Sequence, residues 1–256
     1  MMSFERIAFL ASPTPEAREA RTRLQLRYGE YEPSEADAIV ALGGDGVMLH
    51  SIHDYYERGV PIYGMNRGSV GFLMNEYNED GLVERLARAE CIELPRLAME
   101  TTDIDGRHKT HIAFNEVSLL RETRQAAKLR IIVDSVVRIS EMICDGVLVS
   151  TPAGSTAYNL SASGPIIPLG NELLAMTPIS VFRPRHWRGA LLPSKAQIII
   201  EVIEPGDRLV SATADFHEVR NVVSVNISVS EGPKPKLLFD PEHNLEERVL
   251  KEQFSS

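Results

Sequence analysis

Cysteine is scarce in this 256-residue chain: Cys91 and Cys144 are the only two, and neither stands in a CxxC or Cys/His spacing. They give no disulfide framework and no zinc site, and both read as small buried hydrophobes. Long apolar runs are also missing. Stretches such as Ile39–Leu42 and Ile198–Ile200 fall far short of the roughly 20 residues a helix needs to cross a bilayer, so no membrane partner is expected. The N-terminus, with Glu5 and Arg6 before the short run Ile7–Ala11, lacks the basic start and long apolar core of a secretory signal, and a cytoplasmic location is expected. Positive charge is in deficit, with 27 Lys and Arg against 36 Asp and Glu, a net charge of −9. No Lys/Arg stripe exists to follow a nucleic-acid backbone, so nucleic acid is not an expected partner. The most basic stretch, Arg183, Arg185, His186 and Arg188 around Trp187, reads as a solvated or self-associating loop, with a phosphate or base contact as the alternative. A small anionic ligand stays compatible with an acidic chain, because local amides and a divalent ion can host phosphates. No internal repeat or low-complexity tract is present. What remains, 43% hydrophobic and 25% charged residues, is the composition of a globular protein rather than a disordered one.

The two halves of the chain differ in period. Up to about residue 90, buried runs alternate with amphipathic stretches. Ile7–Ala11 reads as a strand, Glu16–Tyr28 as a surface helix, Ala36–Leu42 as a buried strand stopped by Gly43 and Gly44, Val47–Glu57 as a helix, Val60–Gly64 as a strand and Asp80–Ala89 as a helix. This β-α-β-α order implies a mainly parallel sheet flanked by helices. From about Leu94 the chain becomes a series of Val- and Ile-rich runs: Ile112–Leu120, Leu129–Val133, Val136–Ile143, Val147–Val149, Ile198–Ile203 and Val222–Val229. In the last, Val223, Val225, Ile227 and Val229 alternate with polar residues, the mark of a strand with one buried face. The expected architecture is α/β plus all-β: a domain over residues 1–94, joined by a C-terminal helix over 240–256, and a β-rich domain over 95–239.

Three segments are candidates for chemistry. Gly43-Gly44-Asp45-Gly46 lies between a strand and a helix, where glycines let a ligand approach the backbone and a helix start offers amides to phosphate. Asp45 would repel a phosphate, but it suits a base that takes a proton from an attacking hydroxyl, or a partner of a phosphate-bound cation. The plain alternative is an Asp that caps the next helix. Asn115-Glu116 falls in the middle of the expected strand His111–Leu120, so the two side chains would point to opposite faces, serving ribose hydroxyls and adenine edges or forming a structural hydrogen-bonding pair. The third segment runs from Asp145-Gly146 through a short strand into a turn, Thr151 to Ser161, rich in small and hydroxyl residues, that can open a helix at Thr156. Ser155 and Thr156 offer hydroxyls and amides, Ala153 and Ala157 leave room for a flat ring, and Tyr158 offers a face for one, an assembly that fits a nucleotide, with packing alone as the alternative. His50 and His53, like His108 and His111, are three apart but lack a third ligand and read as solvated, so no metal site is expected in the protein itself.

Taken with Gly64-Met65-Asn66-Arg67-Gly68, Gly71-Phe72-Leu73 and Gly164-Pro165-Ile166, these segments resemble the NAD kinase family over most of the chain. The resemblance implies a Rossmann-like α/β domain in front, a C-terminal β-sandwich domain that binds NAD, a relation to 6-phosphofructokinase-like folds, and a ligand cleft between the domains. It implies transfer of the γ-phosphoryl of ATP, carried with Mg²⁺ or another divalent cation, to the 2′-hydroxyl of the adenosine ribose of NAD, giving NADP. Asp45 would then be the base and Gly46 a backbone contact. His50 stands where the family carries a basic residue, and Phe72 would lie near the adenine. Asn115 and Glu116 would hold the adenine and ribose region, and Asp145 the nicotinamide end or its ribose. Ala153, Thr156, Ala157, Tyr158, Asn159, Leu160 and Ser161 would line the pocket. Val47, Ala153 and Asp215-Phe216-His217 depart from the family's usual residues. A homodimer or homotetramer is implied. A lipid-type kinase with the same glycine turn, and a non-catalytic module that senses NAD or NADP, are the competing readings.

Overall fold

A computed structural model describes residues 4–68 and 71–241 of the chain. The backbone falls into two compact units, one built from the residues up to Leu94 together with those from Gly232, the other from Pro95–Glu231.

In the first unit, strand β1 (Ile7–Ala11) leads to helix α1 (Pro15–Tyr28), β2 (Ala38–Gly43), α2 (Asp45–Tyr55), β3 (Ile62–Asn66), α3 (Leu82–Arg88) and β4 (Glu90–Glu93). The start of α1 follows from its sequence: Thr14 accepts the Ala17 amide, and Pro15, which has no amide to waste, takes the first turn. Ala17, Ala20 and Leu24 form its buried face, spaced three and four apart as a helix stripe requires. β2 is buried at every position, as expected of a central parallel strand covered on both faces. The sheet order is β1-β2-β3-β17-β4, where β17 (Lys236–Phe239) runs parallel to β3 and antiparallel to β4. Residues 232–239, grouped by composition with the β-rich half, therefore belong to the first unit. The helix expected over 240–256 lies outside the described residues, apart from Asp240 and Pro241. Cys144 is buried, but Cys91 on β4 is exposed, because β4 is an edge strand.

The second unit is two six-stranded antiparallel sheets. One has the order β6-β5-β16-β13-β8-β9, the other β12-β11-β10-β7-β14-β15. The strands are β5 (Leu97–Asp103), β6 (His108–Ala113), β7 (Glu116–Arg121), β8 (Ala127–Val133), β9 (Val136–Cys144), β10 (Gly146–Ser150), β11 (Leu173–Ile179), β12 (Ala190–Pro193), β13 (Ile198–Val202), β14 (Val210–Ala214), β15 (His217–Val219) and β16 (Val222–Val229). One apolar core joins the sheets face to face, with Met99, Leu129, Ile131, Ile198 and Val225 from one and Val117, Leu119, Val147, Val149, Met176 and Ala212 from the other. The alternation expected in β16 is broken once. A register shift between Val222 and Ser224 turns Val222 inward and leaves Val223 half-buried, while Val225 and Ile227 keep the predicted inward phase. The expected single strand Ile112–Leu120 is in fact two, β6 and β7, which pair in different sheets and are divided at Phe114-Asn115.

Candidate functional site

The glycine turn ends β2 with little room to spare. A Cβ on Gly43 would lie 2.6 Å from Cγ1 of Val47. Gly44 is the N-cap of α2 and Asp45 its first helical residue, with no side chain capping the helix. The plain capping role for Asp45 is therefore not what forms. Its carboxylate turns instead to another segment: Oδ2 accepts the amide of Phe72 at 2.9 Å and Oδ1 that of Leu73 at 3.0 Å. Two adjacent amides thus fix the plane of the carboxylate. Among the described residues, a Cβ on Gly46 would meet nothing within 4 Å, so the backbone there is open to approach from them. Phe72 is half-buried beside Asp45, and His50 is exposed farther along α2.

In the second unit, the break between β6 and β7 corrects the mid-strand placement of Asn115 and Glu116: Asn115 lies in the break and Glu116 opens β7. The break is held by Asp215, at the turn of the β14–β15 hairpin with φ +52°. Its carboxylate accepts the amides of Phe114 at 2.7 Å, Asn115 at 3.0 Å and Glu116 at 3.2 Å. Three successive N–H groups on one anion replace the ladder bonds that the broken strand gives up. Sequence reasoning missed this role; the only local signal was an Asp at a turn. Beside it, Oε2 of Glu116 is buried without a hydrogen-bond partner. Burial, reinforced by the charge of Asp215, pushes the Glu116 carboxyl up to about 8. The same neighbourhood raises the Tyr158 hydroxyl, through burial first and Glu116 second.

The small-residue turn is clamped onto this break. Thr151 donates its hydroxyl to Phe114 O at 2.6 Å and its amide to Asn115 O at 2.9 Å, while its Oγ1 accepts the Gly154 amide at 3.1 Å. A single 3₁₀ turn, Gly154–Thr156, and the four-residue helix α4 (Tyr158–Ser161) follow. Ser155 is fully buried and bridges to Ile167, accepting its amide at 2.9 Å. Asn159 is buried as well. Its Nδ2 donates to Ser155 O and Pro165 O, and its Oδ1 accepts from Thr177 at 2.7 Å, so its side chain braces the loop from within. Thr156, Ala157, Tyr158 and Leu160 are half-buried, Ser161 is exposed and Ala153 is buried.

Within the second unit the fold thus brings Asn115, Glu116, Ala153 and Thr156–Ser161 to one place. Asp145 stands apart, at the opposite end of β10, about 15 Å away at ~3.3 Å per strand residue, and pairs with Arg121 at 2.6 Å. Within the first unit Asp45, Gly46 and Phe72 are gathered at the N-terminus of α2.

Comparison with known proteins matches both parts of the chain to one family. Residues 2–88 match the ATP-NAD kinase N-terminal domain and residues 105–239 the ATP-NAD kinase C-terminal domain. The chain is 58% identical over 253 residues to the NAD kinase of Caulobacter vibrioides, covering 98% of this chain and 96% of that one. It is 52% identical to the NAD kinase of Rhizobium meliloti, covering 99% and 98%. Among solved structures, an Archaeoglobus fulgidus NAD kinase in complex with ATP superposes with a TM-score of 0.76 at 25% identity, covering 96% of this chain and 98% of that one. Yeast NADH kinase complexed with NADH shares the fold, with a TM-score of 0.86 at 23% identity, covering 100% and 89%. The glycine turn with its oriented aspartate and the clamped small-residue turn are thus features of a chain that belongs to the ATP-NAD kinase family.

Proposed function

We propose that Asp45 is the general base of an NAD kinase reaction in this chain. The 2′-hydroxyl oxygen of the adenosine ribose of NAD attacks the γ-phosphorus of ATP. The new O–P bond forms as the bond to the bridging oxygen breaks, ADP leaves with that electron pair, and the hydroxyl proton passes to the Asp45 carboxylate. A neutral ribose hydroxyl is a poor nucleophile, so a carboxylate within about 2.6–3.2 Å of it assists the transfer, and the rest of the acceleration comes from alignment and charge neutralisation. The observation that carries this reading is the orientation of Asp45 by the Phe72 and Leu73 amides at the open backbone of Gly46.

In the same reading Gly46, His50 and Phe72 contact nucleotide, while Asn115, Glu116, Ala153 and residues 156–161 receive the adenosine half of NAD. The position of Asp145, one strand length away, suits the nicotinamide end of an extended dinucleotide. Mg²⁺ or another divalent cation arrives as part of the ATP substrate; among the described residues no three His, Cys, Asp or Glu side chains gather at one point. No helix among them is long and apolar enough to cross a membrane. A cytoplasmic homodimer or homotetramer, with a Rossmann-like first unit related to 6-phosphofructokinase-like folds, completes the proposal. The lipid-kinase and sensor readings are not favoured, given curated NAD kinase relatives at 52–58% identity.

Incubation with NAD and ATP·Mg²⁺ should yield a product that a strictly NADP-dependent dehydrogenase reduces. Asp45→Asn should lower kcat by about 10²–10⁴-fold, the usual contribution of a positioned base. Retained turnover in that variant would remove Asp45 from the chemistry.

A further inference from the structure

We propose that Asn75 is a positioning residue for the Asp45 carboxylate, a role that rests on the reading of Asp45 as the base. The amides that orient Asp45 belong to the segment 71–75, and Asn75 is where that segment is fastened. Its side chain is fully buried, with both amide donors and the carbonyl oxygen engaged. Nδ2 donates to Gly64 O on β3 and to Leu238 O on β17, both at 3.0 Å, and Oδ1 accepts the Asp240 amide at 2.9 Å. Its backbone adds a donation to Gly64 O at 2.8 Å and an acceptance from Asn66 N at 2.9 Å. One residue thereby ties the segment to two neighbouring strands of the sheet.

Packing sets the remaining direction. A Cβ on Gly64 would lie 2.6 Å from Sδ of Met74 and 2.8 Å from Cε of Met48 on α2, so the segment rests directly on β3 and α2. At Gly71 a Cβ would come within 2.5 Å of Cγ of Met74 and 3.1 Å of Oδ1 of Asp45. With the segment wedged laterally, the bonds of Asn75 set where along the sheet the Phe72 and Leu73 amides stand, and hence how the carboxylate faces a substrate hydroxyl. Only a carboxamide of this length supplies two donors and one acceptor here. Asp would set a carboxylate against two carbonyl oxygens, and Leu would leave buried groups of the backbone unpaired.

The test is a double-mutant cycle with Asp45→Asn, using Asn75→Leu and Asn75→Ser on the full chain. Each Asn75 change alone should lower kcat by about 10-fold or more, since a small misplacement of a reacting group costs up to about 10²-fold, with KM for NAD and ATP within about threefold. In the Asp45→Asn background the same changes should cost nothing further, because the group they orient is already gone. Losses that multiply in both backgrounds, or an unchanged kcat in a folded Asn75 variant, would overturn the proposal. Should neither of these variants fold, Asn75→Thr, which keeps one hydroxyl donor, takes their place in the same cycle: a kcat loss that vanishes in the Asp45→Asn background supports the role, and an unchanged kcat refutes it. Full turnover by Asp45→Asn alone would instead sink the base assignment, whatever Asn75 does.

Discussion

Glu116 and Asp45 are both carboxyls among the proposed functional residues, and their surroundings give them different work. Asp45 faces two amides; Glu116 is half-buried next to the Asp215 carboxylate and carries its proton at neutral pH, as a group pushed up to about 8 must. A protonated Glu116 is a hydrogen-bond donor, which suits a ribose or adenine acceptor. Its folded-state value lies above the ordinary 4.5, so between those two values the native chain holds a proton that the unfolded chain has released. Stability from this group is then complete below about 4.5 and declines as pH rises through about 8. Urea unfolding at pH 5, 7 and 9 should show that decline, and Glu116→Gln should flatten it. In steady-state assays, KM for NAD should rise above about pH 8 in the native protein and stay level in Glu116→Gln.

The turn between β10 and α4 shows how closely one element is fitted to another. Thr151 clamps it to the β6–β7 break, and Gly154 makes the clamp possible, because a Cβ there would lie 2.2 Å from Asn115 O and 2.4 Å from its carbonyl carbon. Those are backbone atoms, already held by Asp215 from the other side, so neither partner can yield. Gly154→Ala should cost about 3 kcal/mol or more, in the range of overpacked and strained core sites, read as a lower urea midpoint. Gly206, with nothing within 4 Å of a Cβ, is the control: Gly206→Ala should leave the midpoint within about 0.5 kcal/mol. The sequence marked this turn as functional by its small residues. It placed Asn115-Glu116 in one strand because Ile112–Leu120 is a continuous apolar-rich run, and a change of sheet at Phe114-Asn115 leaves no trace in such a run.

At the scale of the molecule, the chain leaves the first unit at Leu94 and returns at Gly232. The returning strand β17 lies between β3 and β4, with Leu237 and Leu238 buried. Asp240 just beyond it pairs with Arg85 at 2.5 Å and accepts the Tyr63 hydroxyl at 2.7 Å. A chain ended at Glu231 should therefore lose the folded first unit, exposing β3 and β4 as unpaired edges. Limited proteolysis should cut throughout residues 4–94 while 95–231 resists; protection of both parts would show that β17 is dispensable.

The residues alone determined the alternation of strand and helix in the first half, the β-rich second half, the glycine turn at Asp45 and the small-residue turn that follows β10. These are local patterns: periods of two or 3.6, and small residues at fixed offsets, written within ten or fifteen positions. Short or mixed strands such as β5, β14 and β17 escaped that reading, because LAMETTD, VSATA and KLLF carry too few β-branched residues over too short a span. Only the tertiary structure decided which amides hold Asp45, which carboxylate holds the β6–β7 break, and that Asn75 fastens the segment beside Asp45. The partners of Asn75 lie 11, 163 and 165 residues away and those of Asp215 about 100 away. A hydrogen bond across that distance imposes no period on the chain, so it exists only once the strands between have paired.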